Sequence, residues 1–398
     1  MIVNNNPLEK LNQKYCGRST CKILFAYAHG EQESKANLHF RSITQLAERL
    51  NRVMVLTNVG NSHIKTCNKF PFDLYYDVES LQKEFPKVKF LSEKDFASWI
   101  KERDRLKKLN RNHKKVIPPL SILLSSVTRM IKTKSKPTNM ESFEKKACLK
   151  KFEPFINLID PENSQLRYTE MNVAKVDFRS ENSRRKFSNL LVKRFTTEEE
   201  IILMSTSIVR PLFPIIMPII PYAKHIKDEA QKIKDKLSSS YIAIHWRFET
   251  STPKLLPKCV NGLIKTLNEV MKKKGIENIY LATDYPLLSS RSQSSTFRKL
   301  THYHHEAMRT LNETFKLNTW VSLGGLEGLR KDKKYKSEFE GAGISGILDK
   351  LVCIHSNYFI SGPIGCSRSR SSFTDIIIKG RTKLNDSNLL NIVDRWKF

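Results

Sequence analysis

The sequence lacks a long apolar segment. No run of about eighteen apolar residues occurs, and the amino-terminal stretch MIVNNNPLEKLNQKYC has no apolar core of the kind found in secretory signals. The nearest candidate for a membrane span, residues 208–223, is interrupted by four prolines: Pro211, Pro214, Pro218 and Pro221. Because proline breaks a helix, this segment predicts a buried connection between two domains, and we expect no membrane span in the chain.

Cysteines are few and are not paired in the manner of a metal site. The seven are scattered without CxxC motifs or zinc-ligand spacing: Cys16, Cys21, Cys67, Cys148, Cys259, Cys353 and Cys366. The odd number leaves at least one free thiol, so the redox compartment stays open, as does a disulfide between the first two cysteines. The HYHH cluster at His302, His304 and His305 has no carboxylate or cysteine partner at a convincing spacing, and we expect no metal.

Acidic residues are scarce relative to basic ones. Lys and Arg number 69 against 40 Asp and Glu, which gives a net charge of +29. A field of this sign attracts phosphate-bearing ligands, nucleic acids and anionic membranes without choosing among them. Part of the excess lies in a basic block at about residues 101–151, which we interpret as an insertion. Aromatic residues that could stack on bases are nearly absent from this block, and no nucleic-acid-binding module is recognisable, so we expect no nucleic-acid partner.

Apolar strand patterns alternate with helical patterns along the rest of the chain. In the first half, residues 22–28 and 52–56 are short apolar runs, and residues 37–50 between them have helical spacing. This βαβ pattern predicts two parallel strands, the way a Rossmann-like domain begins. The second half repeats the alternation, with strands expected from residues 241, 278, 319 and 358 and helices at about 225–237, 260–274, 298–315, 347–355 and 371–379. We therefore predict an α/β protein with domains at 1–220 and 221–398.

The segment HWRFE follows the strand that starts at Tyr241. Side chains alternate along an extended strand, so His245 and Arg247 share one face and Trp246 lies on the other. The planar arginine fork can bind two oxygens of a diphosphate, and the histidine can hydrogen bond to a base or sugar. The alternative is that both side chains satisfy backbone carbonyls or carboxylates near the end of a sheet.

A second anion site is predicted after the strand YFIS. Ser371 and Ser372 stand where a helix should begin, and serine commonly caps the free N–H groups of a first turn. Those N–H groups and the helix dipole favour a bound phosphate, although most serine-rich helix starts only cap. The proximity of His245 and Arg247, at another strand end of the same sheet, strengthens the functional interpretation.

These motifs, in this order, resemble those of a known family. HWRFE, YLATD, GISGILDKLVCIHSNYFISG and SSFTDIIIKGR are similar to the nucleotide-binding half of the GDP-fucose protein O-fucosyltransferases, and HGEQESKANLHFRSITQLAERLNRVMVL is similar to their first loop and helix. The resemblance implies a GT-B-like fold with two Rossmann-like domains facing a cleft, the first on the acceptor side and the second binding the nucleotide sugar. It also implies GDP-fucose as donor, inversion at the anomeric carbon, a hydroxyl of a protein or glycan as acceptor, and no obligatory metal.

The same resemblance implies roles for individual residues. Arg247 matches the group that neutralises the leaving diphosphate, and His245 is its neighbour in the nucleotide site. Asp349 matches an acidic position that contacts the nucleotide. Gly30 and Glu31 match a Gly-Glu pair in which the glutamate is the catalytic base. Four residues match the turn that holds the donor: Ser371, Ser372, Phe373 and Thr374.

Two alternative functions and the localisation stay open at this point. The same scaffold could use another nucleotide sugar, such as a rhamnosyl donor, because the phosphate-binding residues would be alike. A basic nucleic-acid-binding protein is the alternative outside enzymes, and it rests on the net charge alone. Relatives in the resembling family work in the endoplasmic reticulum or Golgi, whereas the sequence as written carries no signal or anchor, so a cytoplasmic location is also considered.

Overall fold

The structure is a computed structural model. It describes the following residues: 6–29, 32–66, 68–109, 120–125, 167–172, 177, 180–206, 212–213, 219–237, 240–249, 251–288, 297, 299–339, 342–368, 371–384 and 396. The chain divides into two compact units, residues 1–221 and 222–398. The boundary predicted from the proline-rich segment, between residues 220 and 221, lies one residue before this division. The assignment of the acceptor to the first unit and the donor to the second stays a prediction.

The first unit is built on a parallel sheet. Its described helices are α1 (Pro7–Cys16), α2 (Glu33–Arg49), α3 (Val78–Glu84), α4 (Glu93–Leu109) and α5 (Glu181–Phe195). Its described strands are β1 (Ile23–His29), β2 (Val53–Leu56), β3 (Val59–Gly60), β4 (His63–Ile64), β5 (Phe90–Ser92), β6 (Leu120–Ser125), β7 (Arg167–Asn172) and β8 (Ile201–Thr206). Six of them form one sheet in the order β5-β2-β1-β8-β6-β7, with every neighbouring pair parallel. Strands β3 and β4 form a small antiparallel pair.

The predicted βαβ beginning of this unit is confirmed. Strands β1 and β2 pair in parallel, with Ile23 opposite Val53, and α2 runs between them in the chain. Apolar side chains of both strands pack with Trp99 of α4 in one buried cluster, and burying such side chains contributes about 1.5–3 kcal/mol each. A disulfide between Cys16 and Cys21 joins the end of α1 to the approach to β1. The amino-terminal cysteine pair, left open by the sequence, is therefore bonded.

The basic block is in part integral to the first unit. Residues 101–109 form the last turns of α4, and residues 120–125 form β6, an interior strand between β8 and β7. Arg103 is one basic residue of this block that has a structural partner. Its side chain is buried, and it pairs with Glu200 at 3.0 Å. These fifteen residues are therefore part of the helix and sheet of the first unit and not an insertion. The remainder of the block lies outside the described residues.

The second unit is a smaller parallel α/β unit. Its described helices are α6 (Lys224–Lys236), α7 (Leu256–Lys274), α8 (His302–Thr314), α9 (Glu327–Arg330), α10 (Lys336–Phe339), α11 (Ala342–Ile354) and α12 (Ser372–Lys383). Its described strands are β9 (Tyr241–Trp246), β10 (Asn278–Thr283), β11 (Leu317–Asn318) and β12 (Tyr358–Ser361). They form one parallel sheet in the order β11-β10-β9-β12. The predicted α/β class, with a Rossmann-like sheet in each half, is confirmed.

Two elements of the second unit differ from the prediction. The strand expected from Thr319 is limited to Leu317–Asn318, because Thr319 and Ser322 exchange side-chain and backbone hydrogen bonds that begin a turn. The helix expected at 347–355 starts earlier, at Ala342. Glycine has a low helix propensity, but the earlier start buries Ile344 completely.

Within the part of the chain that the structure describes, no helix is both long enough and apolar enough to cross a membrane.

Candidate active site

The site lies at the carboxyl edge of the second sheet. Strands β9, β10 and β12 run in parallel, so their carboxyl ends meet at one edge: His245 is the register partner of Ser361, and Trp246 is the partner of Thr283. In an open parallel sheet this is the edge at which ligands bind. The structure therefore brings HWRFE and the serine-rich tract together, as the sequence predicted from their strand ends.

His245 is held in a defined orientation. Its Nδ1 and the hydroxyl oxygen of Thr374 are hydrogen bonded at 2.9 Å, and its ring stacks on Phe373 with centroids 4.6 Å apart. Burial, assisted by the nearby positive charge of Arg247, lowers the pKa of His245 to about 3. The imidazole is therefore neutral at pH 7, with one donor and one acceptor nitrogen.

Arg247 is fixed between two carboxylates. Its Nε donates to Oε2 of Glu249 at 2.7 Å, its Nη2 contacts the same oxygen, and its Nε lies 4.0 Å from Oδ2 of Asp284. The three side chains are only 14%, 8% and 9% exposed, in the order arginine, glutamate and aspartate. A second cation, Arg368, approaches Glu249 at 3.9 Å. This arrangement restricts the rotamer of the arginine fork before any ligand arrives, which lowers the entropy cost of binding.

Asp284 holds the backbone that follows Arg247. Its carboxylate accepts hydrogen bonds from the N–H groups of Phe248 at 2.7 Å and Glu249 at 3.1 Å. Burial raises the pKa of Asp284 to about 6, against the opposing effect of these hydrogen bonds and of Arg247. No role was predicted for Asp284 from the sequence, although its place directly after β10, at the carboxyl edge, was the signal that could have indicated one.

The amino terminus of α12 supplies the second predicted anion-binding element. Ser371 is its cap and accepts from the N–H of Thr374 at 3.3 Å. Ser372 is the first residue of the helix, and Phe373 contacts both His245 and, at 5.5 Å, the ammonium of Lys350. The helix N-terminus thus lies beside the histidine. Lys350 is buried, and no sequence signal pointed to it.

Asp349, which the resemblance matches to a nucleotide contact, is hydrogen bonded inside the second unit. It is in the middle of α11, only 3% exposed, and its Oδ1 accepts from the hydroxyl of Tyr280 at 2.6 Å. Burial raises its pKa to about 8, against the opposing effect of this hydrogen bond. In this structure the carboxyl group is engaged inside the unit, and contact with a nucleotide stays a prediction.

The predicted base and its glycine, Glu31 and Gly30, lie outside the described residues. The strand before them ends at His29, a buried histidine whose pKa is lowered to about 3 by burial and by His39. Glu33, the next described carboxylate, is buried and accepts from the hydroxyl of Tyr76 at 3.1 Å. The role of Glu31 stays a prediction.

The histidine cluster HYHH is used for local structure. His304 takes part in a capping box with Thr301 at the start of α8, and His305 is hydrogen bonded to the hydroxyl of Tyr285 at 2.6 Å. Among the residues that the structure describes, no group of three or more potential ligands is arranged to hold a metal ion.

A buried arginine fork, a neutral histidine and a capped helix N-terminus lie together at the carboxyl edge of a parallel sheet, the edge at which α/β proteins commonly bind their ligands. Comparison with known families identifies the family of the chain. The profile described as GDP-fucose protein O-fucosyltransferase matches residues 36–382, so the chain belongs to this family. It is a glycosyltransferase that transfers fucose from GDP-fucose. The family resemblance noted in the sequence is confirmed, and GDP-fucose is the donor expected from it.

Solved structures of POFUT1 are similar to this chain at low identity. The apo form is 13% identical with a TM-score of 0.47, and the match covers 91% of this chain and 95% of that one. The complex with GDP-fucose is 13% identical with a TM-score of 0.46, covering 91% and 94%. The complex with GDP in crystal form III is 14% identical with a TM-score of 0.49, covering 92% and 96%. Comparison with curated protein sequences returned no match.

Proposed function

We propose that the chain transfers fucose to a hydroxyl of a protein with inversion at the anomeric carbon, and that the second unit binds the donor at the carboxyl edge of its sheet. The observation that carries this proposal is the convergence of Arg247, His245 and the capped start of α12 at the ends of two adjacent strands. The family name supports a protein acceptor, and a glycan hydroxyl would present the same attacking group.

The donor diphosphate is the group that these residues suit. A guanidinium fork offers paired N–H donors to two phosphate oxygens, and the free N–H groups of a helix N-terminus add directed dipoles. Glu249 pre-orients Arg247 and shares it with the arriving diphosphate. His245, which is neutral because of its lowered pKa, is a hydrogen-bonding partner for the nucleotide or the sugar. The hydroxyl of Ser371 caps the first turn of α12 and stabilises the conformation of this helix terminus.

The chemistry requires charge stabilisation on one side of the sugar and a base on the other. The acceptor oxygen forms a bond to the anomeric carbon while the bond from that carbon to the diphosphate oxygen breaks, and the electron pair leaves with GDP. The negative charge on the diphosphate grows during this step, so Arg247 is the group placed to stabilise the transition state. Glu31 is the proposed base that takes the acceptor proton, and a carboxylate also favours an oxocarbenium-like sugar.

Asp349 is kept in the proposal as a nucleotide contact, on the strength of the family match alone. Its hydrogen bond to Tyr280 gives it a second, structural explanation. The nucleotide contact predicts a higher donor KM in Asp349→Asn, whereas the structural explanation predicts an unchanged donor KM.

Ligand-induced stabilisation tests the donor class. At a concentration of 100 times its dissociation constant, GDP should stabilise the folded protein by about 2.7 kcal/mol, whereas UDP and short RNA should not. With GDP-fucose and an acceptor peptide, mass spectrometry should detect GDP and a fucosylated peptide, and NMR of the product should show the anomeric configuration opposite to that of the donor. Equal stabilisation by UDP, or a product that retains the configuration, would contradict the proposal.

A further inference from the structure

A compact turn follows β12 at the edge of the candidate site. Within it, the N–H groups of Cys366 and Ser367 both donate to the carbonyl of Pro363, at 3.2 and 2.9 Å. The turn requires glycine at its base, because a Cβ atom added to Gly362 would lie 2.3 Å from the Cβ of Ser367. Gly365 has a φ of +93°, which disfavours any other residue. The segment 362–368, called here the β12 turn, therefore has a defined shape.

The β12 turn holds the backbone of HWRFE just beyond the last ladder residue of β9. The Ser367 hydroxyl donates to the carbonyl of Arg247 at 3.0 Å and accepts from its N–H at 3.3 Å. The carbonyl of Cys366 accepts from the indole of Trp246 at 2.9 Å, and the carbonyl of Gly365 accepts from the N–H of Thr252 at 2.7 Å. Both backbone groups of Arg247 are thus satisfied by one side chain, where the sheet no longer supplies partners.

A disulfide fastens the β12 turn to the core. Cys366 is bonded to Cys259 in α7, and neither residue is exposed to solvent. Helix α7 contributes Leu263 and Leu267 to the apolar cluster beneath the sheet, so the disulfide connects the turn to a packed element. A covalent link between residues 107 positions apart restricts how far the turn can move from Arg247.

From these contacts we infer that Ser367 is a positioning residue for donor binding, and that the Cys259–Cys366 disulfide keeps its hydroxyl in place. The hydroxyl fixes the direction in which the Arg247 side chain leaves the strand, while Glu249 and Asp284 fix the end of that side chain. The inference rests on the proposed role of Arg247. Ser367 would then influence donor binding through the backbone of Arg247 and not by its own contact with the donor.

The first test is Ser367→Ala, with Ser356→Ala as the matched control. Ser356 is also buried, and its hydroxyl also donates to a backbone carbonyl, that of Cys353 at 2.9 Å, but it lies at the opposite, amino end of β12. Leaving a buried backbone group without its partner corresponds to about a tenfold change in an equilibrium constant. We expect Ser367→Ala to raise the dissociation constant of GDP and the donor KM about tenfold without changing the acceptor KM. Ser356→Ala should lower the melting temperature and leave all three constants unchanged.

The second test uses the disulfides. Replacing both Cys259 and Cys366 by alanine should weaken GDP binding, whereas replacing Cys16 and Cys21, which are bonded in the first unit, should not. If the disulfide acts through Ser367, adding Ser367→Ala to the Cys259/Cys366 variant should cost less affinity than it does in the wild-type protein. Should the disulfide variant fail to fold, Ser367→Ala decides alone.

The outcomes separate this inference from the proposed function. An unchanged GDP dissociation constant in Ser367→Ala, together with a large increase in Arg247→Lys, would overturn the inference and leave the role of Arg247 intact. Wild-type GDP affinity in Arg247→Lys would overturn both. Equal effects of Ser367→Ala and Ser356→Ala on GDP binding would reduce the Ser367 contact to general stabilisation and overturn the inference.

Discussion

Replacing Arg247 by lysine should remove most of the donor affinity and nearly all of the activity. The substitution keeps a positive charge but replaces a planar fork by a single ammonium. In the structure the fork is already engaged by Glu249 through two of its nitrogens and lies 4.0 Å from Asp284. A lysine at this position can satisfy Glu249 or approach the diphosphate, but it cannot reproduce the geometry that serves both.

The expected loss caused by Arg247→Lys is smaller for GDP binding than for catalysis. Loss of one hydrogen bond to a charged group costs about 1.5–3 kcal/mol, so the dissociation constant of GDP should rise by about 10- to 150-fold. Loss of one preorganised contact to a developing negative charge costs about 10²- to 10³-fold in turnover. Because charge on the diphosphate grows as the glycosidic bond breaks, kcat/KM should fall by a larger factor than GDP affinity does.

Arg381→Lys is the matched control. Arg381 is buried in the same unit, but its guanidinium donates to the carbonyl oxygens of Cys353 at 3.0 Å and Ser356 at 2.6 Å, at the amino end of β12. Its replacement should lower the melting temperature without a change in donor KM. Calorimetric titration with GDP and a transfer assay below both melting temperatures measure the difference. Near-native kcat/KM in Arg247→Lys, or equal losses in the two variants, would refute the assigned role.

Two further substitutions test the remaining assignments. Glu31→Gln should keep GDP affinity while lowering kcat by about 10²–10⁴-fold, because the general base is lost. The control Glu33→Gln preserves the hydrogen-bond acceptor for the Tyr76 hydroxyl and should retain turnover. Comparable activity in the two variants would exclude Glu31 as the base. Asp349→Asn should raise the donor KM if Asp349 contacts the nucleotide. If Asp349 is structural, donor KM should stay constant and only the pH dependence of melting should change. Its pKa is raised from an ordinary value near 4 to about 8, so the protonated carboxyl favours the folded state at low pH, and this contribution is lost as the pH rises from about 4 through 8. The asparagine variant should not show that loss.

The alternation of strands and helices was predictable because each element carries its own periodic signal. The apolar run of β1 and the helical spacing of α2 are local patterns, and parallel pairing follows from the crossover rule. The site edge was predictable for a related reason: His245 and Ser371 stand next to strands or helix starts, and parallel strands bring their carboxyl ends together. Local pattern failed at TWVSL, where apolar spacing suggests a strand but hydrogen bonds between Thr319 and Ser322 form a turn.

The contacts that position the site could not be predicted, because they join residues far apart in the chain. Ser367 meets Arg247 across 120 positions, and Cys366 meets Cys259 across 107. Seven cysteines permit many pairings, and spacing alone does not select one. Asp349 illustrates the converse. The family resemblance alone implied its nucleotide contact, which stays a prediction, and no local pattern in the sequence indicates its hydrogen bond with Tyr280.

The net charge of +29 and the charge at the candidate site have different consequences. At the site, the cations Arg247 and Arg368 face the carboxylates of Glu249 and Asp284, and His245 is neutral at pH 7 because burial lowers its pKa. Charges that are matched in this way add little to a long-range field, so the attraction of an anionic donor from a distance must come from the rest of the surface. Under the proposed function, selection of the donor then depends on directed contacts at short range, above all the fork of Arg247 and the N–H groups at the start of α12. Salt should therefore weaken the encounter with GDP-fucose more than it weakens the contacts formed once the donor is bound, since partly buried pairs are screened less than exposed charges.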